Sequence, residues 1–199
     1  MNQQEFTSLI WNHYLDIESE MLECLKYVEL CTAHYCVYSA KFARILLECG
    51  AEIDNIFKYI CSIRKKRPTI SDYYDKAIIK IPDLLNYKVI IKHSPLSFQP
   101  FKSWNKNKPS QSLPWWEDYN KVKHDRINNF SLASLENALN SLCALFILEM
   151  LSYDELYKTN PDAYSNYPEN ESKLFQLDNH TVRIRAELTN SVINYEIEG

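Results

Sequence analysis

The segment Trp115-Trp116-Glu117-Asp118-Tyr119-Asn120-Lys121-Val122-Lys123-His124-Asp125-Arg126 sets chemistry-bearing side chains at helical spacing. On a helix, Asn120 and His124 are four residues apart and share a face, which Trp116 and Ile127 extend. Trp115, Tyr119, Val122 and Arg126 lie along a neighbouring face, and Lys121, Lys123 and Arg126 add cations. An imidazole titrates near neutrality and can move a proton, while an amide and cations can hold a phosphodiester. Asn120, His124 and Arg126 are therefore the candidate catalytic residues. Trp116, Tyr119, Lys121 and Lys123 are the candidate substrate contacts. The structural alternative is that Asn120 and His124 satisfy buried backbone groups where helices cross, with the lysines solvated.

Other chemistries are poorly served. Glycine occurs only at Gly50 and Gly199 among 199 residues, so neither a glycine-rich phosphate loop nor a GxSxG elbow can be written. Cys31, His34 and Cys36 cluster, but without the converging ligand pairs that zinc requires. Cys24, Cys49, Cys61 and Cys143 fall on apolar helical faces and read as small core hydrophobes. No metal and no cofactor is expected. Six cysteines in a chain opening on the polar stretch Met1–Phe6 suggest reduced thiols and a cytoplasmic location. The longest apolar run, Leu142–Leu151, is interrupted by Glu149 and falls short of the roughly 18 residues of a membrane span.

The net charge is −4, unevenly spread. Residues 1–57 hold 3 basic and 9 acidic side chains, residues 58–126 hold 15 and 6, and residues 127–199 hold 4 and 11. A basic centre between acidic ends can attract a polyanion locally.

The elements that must position these groups are mainly helical. Phe6, Leu9, Ile10, Tyr14, Ile17, Met21, Cys24, Leu25 and Val28 predict one helix over Gln3–Leu30. A second is expected over Tyr38–Ile63, with Gly50 inside its apolar stripe, a place where another helix can approach closely. Glu52 on that helix is expected to face Lys123 and Arg126. Arg64-Lys65-Lys66-Arg67-Pro68 reads either as a C-terminal cap or as an anion-binding patch. A short helix over Ser71–Leu85, a strand within Tyr87–Ile91 and an irregular stretch Lys92–Pro114 follow. Helices are then expected from Pro114 to about Asn128 and from Ser131 to about Leu151. Ser152–Ser172 is polar and tyrosine-rich. Leu174–Leu177 and Thr181–Ala186 alternate as a hairpin around Asp178-Asn179-His180, with Ser191–Ile197 as a further strand. The expected architecture is a mainly α bundle of about five helices over residues 1–151, with a long middle loop. A β-hairpin appendage over 152–199 completes it.

The spacing Asn120-Lys121-Val122-Lys123-His124, followed by a very apolar helix, resembles HEPN domains (higher eukaryotes and prokaryotes nucleotide-binding). Their motif is of the RNxxxH type; here Tyr119 stands at the arginine position, with Lys123 and Arg126 nearby but out of register. The resemblance implies a helical bundle that dimerises. It also implies RNA as partner and metal-independent ribonuclease activity in toxin–antitoxin or anti-phage systems. Residues 6–150 are also similar to a group of uncharacterised bacterial proteins. The similarity rests on Trp11-Asn12-His13-Tyr14, Glu52-Ile53-Asp54 and Pro100-Phe101…Trp104, besides the segment above. Two other functions fit the residues: a non-catalytic helical module that binds a cognate protein partner, and a small-molecule enzyme with a pocket walled by Trp104, Trp115 and Trp116.

Overall fold

A computed structural model describes residues 2–81, 83–159, 168 and 170–178. The protein is mainly α, with a small antiparallel sheet. Helix α1 (Gln3–Phe6), a π-helical turn (Thr7–Trp11) and α2 (Asn12–Cys24) follow one another with helical backbone at every junction. The π turn accommodates one extra residue. Periodicity calculated for an unbroken α-helix therefore misplaces Leu9, which is 69% exposed, while Trp11 enters the core. Phe6, Tyr14, Ile17 and Met21 are buried as the spacing predicts.

Helix α3 (Ala40–Ile60) starts at Ser39, whose hydroxyl accepts from the Phe42 N–H. It ends where Ser62 takes a left-handed conformation (φ 50°) and Ile63 N–H reaches back to Lys58 O at 3.0 Å. That is a Schellman closure. Arg64–Arg67 consequently lies beyond the helix and does not cap it. Helix α4 (Ile70–Lys80) opens on Thr69, whose N–H and hydroxyl both donate to Asp72. It stops short of Leu85 because Ile81 precedes Pro82 and is extended (φ −130°, ψ 77°).

Strands β1 (Val89–Ile91) and β2 (Ser97–Phe98) form an antiparallel hairpin. The middle loop then packs down, burying Phe101, Trp104 and Leu113. Helix α5 (Pro114–His124) is followed by the short α6 (Arg126–Asn129) and then by α7 (Leu135–Thr159). Ser134, rather than Ser131, starts α7: its hydroxyl accepts from Asn137 N–H, while Phe130–Leu132 forms a 3₁₀ turn.

Strand β3 (Phe175–Leu177) falls where alternation places it. It pairs with β1 in the register Val89↔Leu177, Ile90↔Gln176, Ile91↔Phe175, giving the sheet order β2-β1-β3. The expected partner strand Thr181–Ala186 and the strand Ser191–Ile197 lie outside the described residues. Helix α7 continues through position 151, and the segment that follows is tied to α2 by the buried Glu18. The Glu18 carboxylate accepts from Tyr14 Oη (2.7 Å), from the Lys173 (2.8 Å) and Leu174 (3.2 Å) N–H groups, and from the Ser172 hydroxyl. A carboxylate this well solvated by donors can be held in a core.

Helices α3 and α7 form the centre of the core, with α5 lying against both. Over Leu135–Leu156, α7 is long and apolar enough to cross a membrane. Yet 83% of that window is buried inside the protein, as for a core helix. All six cysteines are free thiols; Cys49, Cys61 and Cys143 are buried.

Gly50 fixes how closely α5 approaches α3. A Cβ at Gly50 would stand 2.4–2.6 Å from the Tyr119 ring atoms Cε2, Cδ2 and Cζ, closer than carbon atoms can pack. Gly50→Ala, which ordinarily stabilises a helix, is therefore expected to cost about 1–3 kcal/mol by overpacking. Urea titration checks this, and the cost should be recovered when Tyr119 is also truncated to Leu.

Glu149 presents the opposite problem to Glu18. It is 1% exposed on α7, and its Oε2 has no hydrogen-bond partner among the described residues. Burial, and secondarily the charge of Glu52, raises its pKa well above the ordinary 4.5. The folded state therefore keeps a proton that the unfolded chain gives up. Stability from this group is complete below about pH 4.5 and is lost as pH rises from there towards the folded value. Glu149→Gln should flatten that decline, read by denaturant midpoints at pH 5 and pH 8.

Candidate functional site

Pro114 at the first turn starts α5, and the helix ends at His124 rather than near Asn128. The reason is Asp125. Its backbone leaves the helical region (φ −149°, ψ 74°), and its carboxylate accepts from the Asn128 N–H (3.3 Å) and Nδ2 (2.7 Å), capping α6. Arg126 thus does not continue the α5 face of Trp115, Tyr119 and Val122 on which the spacing placed it. Its guanidinium lies 5.4 Å from the centroid of the Phe130 ring. Ile127 does not extend the Asn120 face either; it is 92% exposed.

The structure brings Trp116, Tyr119, Asn120 and Lys123 together along one wall of a cleft of about 440 Å³. Pro68, Thr69, Ile70 and Ser71, Asp54 from α3, and Ser110 from the middle loop complete it. Trp116 and Tyr119 are buried, with ring centroids 5.1 Å apart. Asn120 Nδ2 donates to Trp116 O at 2.8 Å, so half of this amide is spent on its own helix. Its Oδ1 takes no hydrogen bond from a described residue.

Lys123 is exposed. Its Nζ donates to Tyr119 Oη at 3.0 Å and lies 5.2 Å from the same ring's centroid. No carboxylate pairs with it among the described residues. Lys121 differs: it points to Glu117 (3.1 Å) and Asp118 (3.2 Å), whose hydrogen bonds raise its pKa. It lines no part of the cleft. His124 is exposed at the end of α5 and forms no hydrogen bond with a described residue.

The tyrosine at the position where the HEPN motif carries arginine is thus a core residue. It packs on Gly50 with its hydroxyl at the cleft. The Glu52 expectation is corrected as well. Glu52 accepts from Asn55 Nδ2 at 3.4 Å and acts on Glu149, not on Arg126. The α3 carboxylate that reaches the cleft is Asp54, two residues on. It accepts from Tyr73 Oη at 2.6 Å and pairs with Lys58. Burial first, then that bond to Asp54, pushes the Tyr73 hydroxyl's pKa up. Asp54 stands one α-helical turn from Gly50 on the same stripe; that i,i+4 spacing was the available sequence signal for it.

Arg64–Arg67 immediately precedes the Pro68–Ser71 wall. Lys65 is neutralised by Asp72 at 2.9 Å, and that ammonium, with the Thr69 N–H and hydroxyl, holds the Asp72 carboxyl at about 2. Arg64, Lys66 and Arg67 are exposed and have no acidic partner among the described residues. They precede the Pro68–Ser71 wall in sequence, while Lys123 lines the cleft itself. Thr69, Ser71, Ser110 and Asn120 supply neutral hydrogen-bonding groups inside it. This combination can hold a phosphate-bearing chain by charge and hydrogen bonds. The three tryptophans do not wall one common pocket: Trp104 packs on Phe57, Tyr74 and Phe101, Trp115 donates to Pro100 O at 2.8 Å, and only Trp116 lines the cleft.

Tyr119→Arg is expected to cost about 3 kcal/mol or more, because a charge enters the α3–α5 contact. Tyr119→Phe keeps the ring and should cost about 1 kcal/mol or less. Thermal and urea unfolding of the two variants tests the assignment.

Comparison with protein-family models, with curated proteins and with solved structures returns no match.

Proposed function

We propose that this chain is a HEPN-like RNA-binding protein that holds the RNA backbone along the Arg64–Ser71 and α5 cleft. The observation that carries this reading is a polar cleft lined by Lys123, whose Pro68–Ser71 wall directly follows the exposed cations Arg64, Lys66 and Arg67, in a chain whose ends are acidic. Phosphate contacts set affinity and register, and the hydroxyl and amide groups add positioning. His124, one residue beyond Lys123 at the exposed end of α5, is the imidazole proposed to move a proton. Any metal-independent cleavage of the bound strand rests on it, with Asn120 as its neighbour one turn back. Arg126, stacked on Phe130, serves as a flanking cation. A homodimer formed across α5 and α6 has Ile127 available for an apolar contact beside His124. The same exposed residue favours the second reading, a non-catalytic module that binds a cognate protein.

Titration of single-stranded RNA in EDTA tests the proposal. Four phosphate contacts give a log–log salt slope of about −3, and Lys123→Ala should reduce its magnitude by about 0.7. Cleavage that disappears in His124→Ala while binding persists assigns the proton transfer to the imidazole. Binding without cleavage assigns the protein to RNA binding alone. A folded protein that binds no RNA at low salt sinks the proposal and favours the interaction module.

A further inference from the structure

The first turn of α4 opens into the cleft, which Thr69, Ile70 and Ser71 line. The first N–H groups of a helix have no acceptor within it. Asp72 N–H turns back to Thr69 O at 2.9 Å, and the Asp72 carboxylate takes the Thr69 N–H. The Ile70 and Ser71 N–H groups are left with no acceptor among the described residues. Two carboxylates stand nearby, and both are matched. Asp72 is paired with Lys65 at 2.9 Å. Asp54 accepts from the Tyr73 hydroxyl and pairs with Lys58.

The α5 wall holds unspent donors of its own. Tyr119 is 2% exposed, and its oxygen accepts from Lys123 Nζ at 3.0 Å. Its own O–H donates to no described residue. Trp116 is 5% exposed, and its indole N–H also donates to none. That N–H is not enclosed in the core as the one of Trp104 is; it opens to the cleft that Trp116 lines. Lys123 spends one of its three N–H groups on Tyr119. Two side chains buried beyond nine-tenths and a helix end thus share one cleft with an ammonium. All of them offer hydrogens, so the ligand that completes the site brings acceptors and negative charge.

A phosphodiester within a strand presents two unesterified oxygens and a single charge. A phosphomonoester presents three acceptor oxygens and nearly a second charge at neutral pH. The larger set matches donors that come from a helix N-terminus on one element and from an indole, a phenol and an ammonium on another.

We infer that the cleft receives the terminal phosphomonoester of an RNA strand. The Ile70 and Ser71 N–H groups, the Trp116 indole, the Tyr119 hydroxyl and Lys123 are its donors. This rests on the RNA reading above and narrows it from the strand in general to a phosphorylated end.

The test follows the intact protein by anisotropy with an internally labelled RNA decamer, in EDTA at physiological salt. The decamer carries hydroxyls at both ends, a 5′-phosphate or a 3′-phosphate. One phosphorylated form is expected to bind about tenfold tighter than the hydroxyl-ended form. Inorganic phosphate and AMP, titrated separately, should shift the Ile70 and Ser71 amide and Trp116 indole resonances. Tyr119→Phe and Ser71→Ala, each shown to be folded by its melting temperature, should reduce the phosphate advantage about threefold or more and leave hydroxyl-ended RNA unchanged. Equal binding of the phosphorylated and hydroxyl-ended decamers overturns this inference and leaves binding along the backbone standing. An advantage untouched in both variants overturns it too. AMP or inorganic phosphate bound by a protein that binds no RNA overturns it in favour of a free phosphate ligand. A folded protein that binds none of these probes overturns both this inference and the RNA reading.

Discussion

The ring of Tyr119 occupies the space that a side chain at Gly50 would need, and the placement of α5 follows from that contact. Helix α3 can receive α5 this closely only where it lacks a Cβ. The remaining orientation of α5 then follows from the helical period. Trp115 turns into the aromatic cluster with Phe101, while Trp116 and Tyr119 pack against α3. Asn120 and Lys123 come out at the cleft, and Asp118 lies outside it, paired with Lys121 and accepting from Asn137 Nδ2. The same contact accounts for the tyrosine at a position where the HEPN motif carries arginine. An aromatic ring fills the α3–α5 interface, and a guanidinium there would be stranded without a partner.

Two buried carboxyls show how the same residue type meets opposite solutions. Glu18 is surrounded by donors from Tyr14, Ser172 and two backbone N–H groups, and in return it clamps the segment leading to β3 onto α2. Glu149 has an orphaned oxygen and a negative neighbour in Glu52. The first is held by charge-assisted hydrogen bonds. The second remains in the core by keeping its proton. A strand from the far end of the chain thereby joins the β1–β2 hairpin, and the acidic C-terminal region begins as part of the main body.

Charge on this molecule is organised by which cations find a local carboxylate. Lys121 is neutralised within α5, Lys58 by Asp54 and Lys65 by Asp72. Lys123, Arg64, Lys66 and Arg67 have no acidic partner among the described residues; Lys123 lines the cleft and the other three precede its Pro68–Ser71 wall. Composition shows a basic centre; ion pairing decides which of its cations keep their charge uncompensated, the exposed Arg64, Lys66 and Arg67 among them. The Schellman closure at Ser62 matters here, since it leaves the four-residue basic run outside α3 and available to an external anion.

The sequence by itself determined the helical character, the apolar stripes of α3 and α7, the strand at Val89–Ile91 and the significance of Gly50. These are consequences of local periodicity and of the single glycine inside a helical stripe. Tertiary structure decided what periodicity is blind to. A π turn moved Leu9 out of the stripe and Trp11 into it. Asp125 preferred to cap α6 over continuing α5, which parted Arg126 from His124. The three-residue β3 took β1 as its partner across more than 80 positions of chain, a pairing set by backbone hydrogen bonds that leave no local mark. Gly50 announced a close neighbour, but only the packed structure showed that the neighbour is Tyr119. One candidate motif thereby separated into a structural tyrosine, a cleft-lining Asn120 and Lys123, and an exposed His124.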